Sequence, residues 1–269
     1  MAYHGFAVRT EHGPQWTGKM ALVHEHLADP LRWKKPRRVF VNSMSDLFHE
    51  RLANEEIAAV FGIMAQSHHH TFQILTKRAE RMRDWFEWVS SFEDEHGPPP
   101  EHVCTIEAVN RIGDMDQVAR PWPLPNVWLG VSVEDQQRAD ERIPELLRTP
   151  AAVRFISYEP ALSQVAFYDE WMTQPGPNGV GRRGLDQIIV GGESGPGARP
   201  FDLAWARFTV TQCRRFGVKA FVKQMGSRPY DSGGPVVEGV RIAEVSLLDR
   251  KGGDPTEWPT GDWPREFPS

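Results

Sequence analysis

Apolar and polar positions follow a repeating order along the chain: a short apolar run, then at once a set of polar groups, then a helical pattern. Arg38 to Glu50, RVFVNSMSDLFHE, shows it first. Val39, Phe40 and Val41 form the run expected of a parallel strand buried on both faces, and Asn42, Ser43, Ser45 and Asp46 stand where that strand ends. The same order returns in TFQILTKR (71–78), NVWLGVSVED (126–135), VRFISYEP (153–160), QIIVGGESG (187–195) and KAFVKQMG (219–226). Strand starts recur at the spacing of strand-helix units, with one longer interval between Thr71 and Asn126, which predicts a parallel barrel or open α/β sheet. Such folds gather their working groups at the carboxyl ends of the strands, because the loops there converge on one face.

The connecting helices are legible from their apolar spacing. Asn54 reads as an N-cap, with Ile57, Val60, Phe61 and Met64 on one face of the helix after it. Met82, Trp85, Phe86 and Val89 mark a second helix, and Ala139, Ile143, Leu146 and Leu147 a third, which Pro144 should kink or divide. Asp202 is a candidate cap for a fourth that ends near Gly217. Residues 1–37 read as an irregular lead-in and 92–125 as an insertion with a short helix near Glu101 to Arg111. The main domain is expected over 1–225, with a loop at Gln174 to Gly184 and a Gly/Pro/Trp-rich, hairpin-bearing extension over 226–269 whose tryptophans anchor an irregular tail.

Composition narrows the classes. A chain of 269 residues that is 40% apolar can bury one barrel-sized core, and a net charge of −5 argues against a generally cationic nucleic-acid coat. With no run of about 18 apolar residues and no secretory signal at the start, the chain reads as cytoplasmic and without a membrane partner. Cys104 and Cys213 are far apart and read as ordinary buried or half-buried thiols; no metal site is expected from His24–Glu25–His26, which reads as surface or packing, or from His68–His70, which reads as a surface loop. Arg32, Lys34, Lys35, Arg37 and Arg38, with Trp33 among them, precede the first strand and belong to the end opposite the polar tips. They read as a solvated rim or as a contact for nucleic acid.

The tips supply the candidate site. Asp46, Glu134, Glu159 and Glu193 are the catalytic candidates. Asn42, Ser43, Thr76, Ser132, Ser157, Lys223 and Gln224 are placed around a ligand pocket, with Lys77 and Arg78 taking an anionic part of the ligand. The run Gly191, Gly192, Glu193, Ser194, Gly195 brings backbone amides close to a ligand, and Arg199 adds charge, although the spacing fits neither GxGxxG nor a P-loop.

Taken together, VNSMSDLFHE, FQILTKR, NVWLGVSVEDQ, RFISYEPAL, IIVGGESGPGARP, VKQMG and DRKGGDPTEWP resemble an uncharacterised phage- and prophage-associated family of domains of unknown function, over nearly the whole chain. The resemblance implies a three-cysteine motif ahead of the first strand and a partial, TIM-barrel-like fold similar to radical S-adenosylmethionine enzymes. There, three thiolates hold a [4Fe–4S] cluster and the open iron binds the cofactor. That motif is absent from this sequence. The expectation is a six-unit partial barrel lacking its first unit, with S-adenosylmethionine and cluster belonging to a full-length form and no cofactor in this chain. Relatives also imply a partner protein encoded nearby. Two other classes are a non-catalytic module for nucleotide, nucleic acid or protein, and a cluster-independent hydrolase using the four carboxylates.

Overall fold

The computed structural model describes residues 5–268 apart from 12, 43, 44, 94–96, 114, 116, 117, 174–183, 234, 235, 238, 239 and 242–244. The lead-in contains a hairpin, β1 (Ala7–Thr10) with β2 (Gly13–Trp16), and two single helical turns, α1 (His24–Leu27) and α2 (Asp29–Arg32). This is more order than the polar pattern of residues 1–37 predicts, since the hairpin lacks an apolar alternation. Then come β3 (Arg38–Val41), α3 (Asn54–Gln66), β4 (Thr71–Thr76), α4 (Ala79–Ser90), α5 (Pro100–Ile112), β5 (Val127–Ser132), α6 (Gln136–Arg148), β6 (Val153–Tyr158) and α7 (Asp169–Met172). The chain continues through β7 (Gln187–Gly191), β8 (Phe201–Asp202), α8 (Leu203–Phe216), β9 (Lys219–Gln224), β10 (Pro229–Tyr230) and a small hairpin, β11 (Val236–Val237) with β12 (Val240–Arg241).

All six expected strands form one parallel sheet in sequential order, β3-β4-β5-β6-β7-β9, curled into a half-barrel. Sequential order follows from each helix returning the chain to the next position on the same side, the connection that favours closure over an open doubly wound sheet. Burial grades across it. Every residue of β5 is buried, β4 alternates, and β3 at the free edge leaves Phe40 46% exposed. The run Val39–Val41 is therefore an edge strand, contrary to its doubly buried pattern, because it has a neighbour only on the β4 side. The opposite edge is covered by the chain's own tail: Val222 N donates to Pro264 O, and Glu266 N to Ala220 O.

The helices carry the faces read from their spacing. Met82, Trp85, Phe86 and Val89 are buried on α4, and Trp85 stacks on Phe61 of α3 with ring centroids 4.5 Å apart. α3 is buried on more than one side, since α5 of the insertion presses against it so closely that a Cβ on Gly62 would lie 2.2 Å from Cys104 O. The N-cap of α3 is Ala53 rather than Asn54: Glu56 Oε2 accepts from Ala53 N, while Asn54 Oδ1 accepts from Arg81. α6 runs through Pro144 undivided, and Asp202 caps α8 by accepting from Ala204 N, with Gly217 left-handed (φ 67°) at its end. Trp258 is buried in the tail and donates to Gly252 O, the anchoring use expected. The Gln174–Gly184 loop lies outside the described residues except for Gly184. Among the described residues no helix is long and apolar enough to cross a membrane.

Candidate functional site

Asp46 is the centre of the first two strand tips. Its carboxylate accepts from Phe48 N (2.9 Å), Thr76 Oγ1 (2.8 Å), Lys77 N (3.2 Å) and Arg78 Nη1 (3.0 Å). Arg78 also donates through Nε to Glu50 (2.9 Å), so one guanidinium holds two carboxylates. The Glu50 carboxyl is held below its ordinary pKa, first by the hydrogen bond from Arg78. Asn42 ends β3 with a positive φ of 57°, a conformation asparagine tolerates better than most residues, and its carbonyl accepts from Ser45 N to close the turn. Ser43 lies outside the described residues.

The middle tips are built as further ion pairs. Glu134 sits between Lys77 Nζ (2.5 Å) and Arg142 Nη1 (3.1 Å), and Arg142 also donates to Ser132 O, which binds α6 to the end of β5. Glu159 accepts from Ser157 Oγ (3.2 Å) and pairs with Lys223 Nζ (2.9 Å), linking β6 to β9 across the end of β7. Glu134 and Glu159 are largely buried, with side chains 12% and 13% exposed, so these pairs are shielded on one side and open on the other. Arg78, Arg142 and Ser132 lock orientation; Lys77 and Lys223 remain half in water and can move to a ligand.

The glycine-rich tip of β7 closes on protein rather than opening to a ligand. Gly192 N donates to Gln224 O, and Gln224 Nε2 donates to Gly192 O. A Cβ on Gly192 would lie 2.4 Å from Met225 O and 2.9 Å from Phe201 Cβ. The close approach that glycine permits there is to the backbone of Met225, just after β9. Glu193 accepts from Arg199 N, Nε and Nη2, which holds its pKa at about 2. Ser194 stands in this exposed turn, and Gly195 N donates to Ser227 Oγ.

Beside these tips, under the free edge of β3, lies a cavity of about 660 Å³. Its walls are apolar, from Leu22, Leu27, Val39, Val41, Ile63 and Met64, and its rim carries Asn42, Asp46, His49 and Arg78. Volume, apolar walls and a few convergent polar groups are the usual features of a small-molecule site.

A family model described as a protein of unknown function, DUF5131, matches residues 2–249. The chain belongs to that family. No curated protein and no solved structure matches it. The resemblance carried by the tips is thus met at the level of a DUF5131 domain that spans nearly the whole chain.

The fold gathers the DUF5131 tip residues into four neighbouring groups rather than one: Asp46 with Thr76 and Arg78, Lys77 with Glu134, Ser157 with Glu159 and Lys223, and Glu193 with Arg199. Asn42, Asp46 and Arg78 are the candidates that reach the cavity. Arg142, Glu50 and His49 were not foreseen. Glu50 closes the stretch that led to the site, but Arg142 sits mid-helix with nothing in the sequence to mark it. Cys104 and Cys213 are both buried within helices, and burial pushes the Cys104 thiol well above its ordinary pKa. Among the described residues no three His, Cys, Asp or Glu side chains form a metal-holding group. His70, read as surface, is 1% exposed, because its two ring nitrogens are used to hold the lead-in: Nδ1 accepts from Arg37 N and Nε2 donates to Pro30 O.

Proposed function

We propose that the carboxyl end of the half-barrel is a small-molecule site on a TIM-barrel-like scaffold of the radical S-adenosylmethionine type, within a phage-associated family, and that S-adenosylmethionine is its first candidate ligand. The cavity beside β3 carries the reading. An adenine ring suits flat apolar walls, and the amino and carboxyl groups of an amino-acid end can exchange for the contact that Asp46 and Arg78 make with each other on the rim. The sequential strand order and the wording of the tips support the scaffold type.

The residues of this chain do not fit the iron-sulfur cluster of such enzymes. Three thiolates are required, and two cysteines are present: Cys104 in α5, pressed against Gly62 of α3, and Cys213 near the end of α8. The reading is accordingly a binding site, with no cluster chemistry from these 269 residues. A cluster-independent hydrolase gains no support, since Asp46, Glu134, Glu159 and Glu193 fall in four separate ion-paired groups rather than converging as one set.

Isothermal titration of the chain with S-adenosylmethionine and S-adenosylhomocysteine tests the proposal. Binding is expected, with a loss of roughly tenfold or more in Ala21→Trp, which fills the exposed mouth of the cavity, and in Arg78→Lys, which cannot hold two carboxylates in one plane. Absence of binding to either compound, or binding indifferent to both substitutions, overturns it. Anaerobic incubation with iron and sulfide is expected to give less than one cluster per chain and no 5′-deoxyadenosine.

A further inference from the structure

Lys34, Lys35, Arg37 and Arg38 are exposed, and among the described residues none of them meets a carboxylate; Arg32, just before them, pairs with Asp29 at 3.7 Å. The segment is nonetheless fixed. His69 Nε2 donates to Trp33 O at 2.8 Å, and His70 Nε2 donates to Pro30 O at 3.2 Å. On its other side His70 Nδ1 accepts from Arg37 N, and Arg37 O accepts from Thr71 N of β4. The Arg37 guanidinium lies 4.7 Å from the Trp33 ring centroid and that of Arg38 3.9 Å from that of Phe267. Beyond His68, Arg120 extends the cationic surface by donating to His68 Nδ1 at 2.8 Å.

We infer that this amino-end surface binds the phosphodiester backbone of a nucleic acid, independently of the small-molecule site. Five residues, with a bend at Lys35, carry these cations, which have no carboxylate partner among the described residues; fully extended they would reach about 13 Å, so about four phosphates of one strand is the upper limit of the contact. The aromatic faces here are covered by the protein's own cations and histidines, so contact is made through phosphates and not by base stacking, and one base sequence serves as well as another. Preordering matters as much as charge. Segments pinned by His69 and His70 lose little freedom on binding, whereas solvated surface lysines on a flexible loop would lose more. The chain's net charge of −5 keeps the attraction local to this end.

Fluorescence anisotropy of a labelled 20-nucleotide DNA, single-stranded and duplex, and of RNA of the same sequence, tests the inference across 50–200 mM salt. All three are expected to bind, with a log–log salt slope for the duplex of about −3.6, the value for four phosphate contacts. Lys34→Gln with Lys35→Gln, and separately Arg37→Gln with Arg38→Gln, are each expected to weaken binding roughly tenfold or more and to flatten the slope by about 1.8. Arg214→Gln with Arg215→Gln removes the same charge from cations paired with Asp262 and Asp169, and should change affinity less than twofold. No binding at 50 mM salt, an equal loss in the control pair, or displacement by polyglutamate as effective as by unlabelled DNA of equal charge overturns it; the last result would assign the surface to an acidic protein.

Discussion

At the carboxyl end of the sheet Arg78, Lys77, Lys223 and Arg199 each lie against a carboxylate, in pairs 2.5–3.0 Å long. At the amino end Lys34, Lys35, Arg37 and Arg38 face water without one among the described residues. The same two residue types thus do different work. A cation paired inside a partly buried tip fixes the direction of its neighbours and holds back from a ligand unless the ligand offers better contacts. A cation in water keeps its attraction for an incoming phosphate and adds little to stability. The sheet edges differ in the same sense: β9 is covered by the chain's own tail, and β3 stands open beside the cavity.

The contrast is most exposed to failure at Asp46. Asp46→Ala leaves Thr76, two backbone amides and Arg78 without their acceptor in a site where the carboxylate is 15% exposed, and should lower unfolding free energy by about 3 kcal/mol. Neutralising all four amino-end cations to glutamine should change it by less than about 1 kcal/mol. Denaturant titration of both variants decides. Equal losses would abolish the distinction between structural and available charge.

Gly192→Val comes next, at about 2–3 kcal/mol, because its side chain meets the Met225 carbonyl and Phe201 before it meets any ligand. Ligand affinity per folded molecule should then be unchanged. A variant that folds as the parent does but no longer binds would return the glycine loop to the ligand site.

A smaller effect is expected from acid at the amino end. Burial pushes the His70 pKa down, with the charges of His69 and Arg37 adding to the shift, while the carbonyls of Pro30 and Trp33 oppose it. The folded state therefore binds fewer protons than the unfolded chain below the ordinary histidine range. His70's contribution is complete above that range and is lost as pH falls through the lowered folded value. The thermal midpoint should fall from pH 7.5 to 5. His70→Gln should flatten this profile; an unchanged slope would remove His70 as the pin.

The smallest effect is expected at Glu193. Arg199→Ala should raise its titration from about 2 toward the ordinary glutamate value, read by carboxyl-carbon NMR, with no measurable change in unfolding midpoint, since both groups face solvent.

The positions of all six strands, the helices that cover them and the end at which Asp46, Glu134, Glu159 and Glu193 emerge were written in the chain itself. Apolar run length, helical spacing and caps such as Asp202 and Gly217 act over a few residues, and parallel units leave little freedom in which end becomes polar. Pairing was decided elsewhere. That Lys77 belongs to Glu134, Lys223 to Glu159 and Arg142 to the β5 tip depends on which strands become neighbours and how far each tip reaches, distances a local pattern does not contain. The same holds for Val39–Val41, whose sequence reads as central and whose place at the edge is set by a neighbour on one side only. It holds too for His70, polar by type yet buried, because the backbone of a segment more than thirty residues earlier supplies both partners its ring needs.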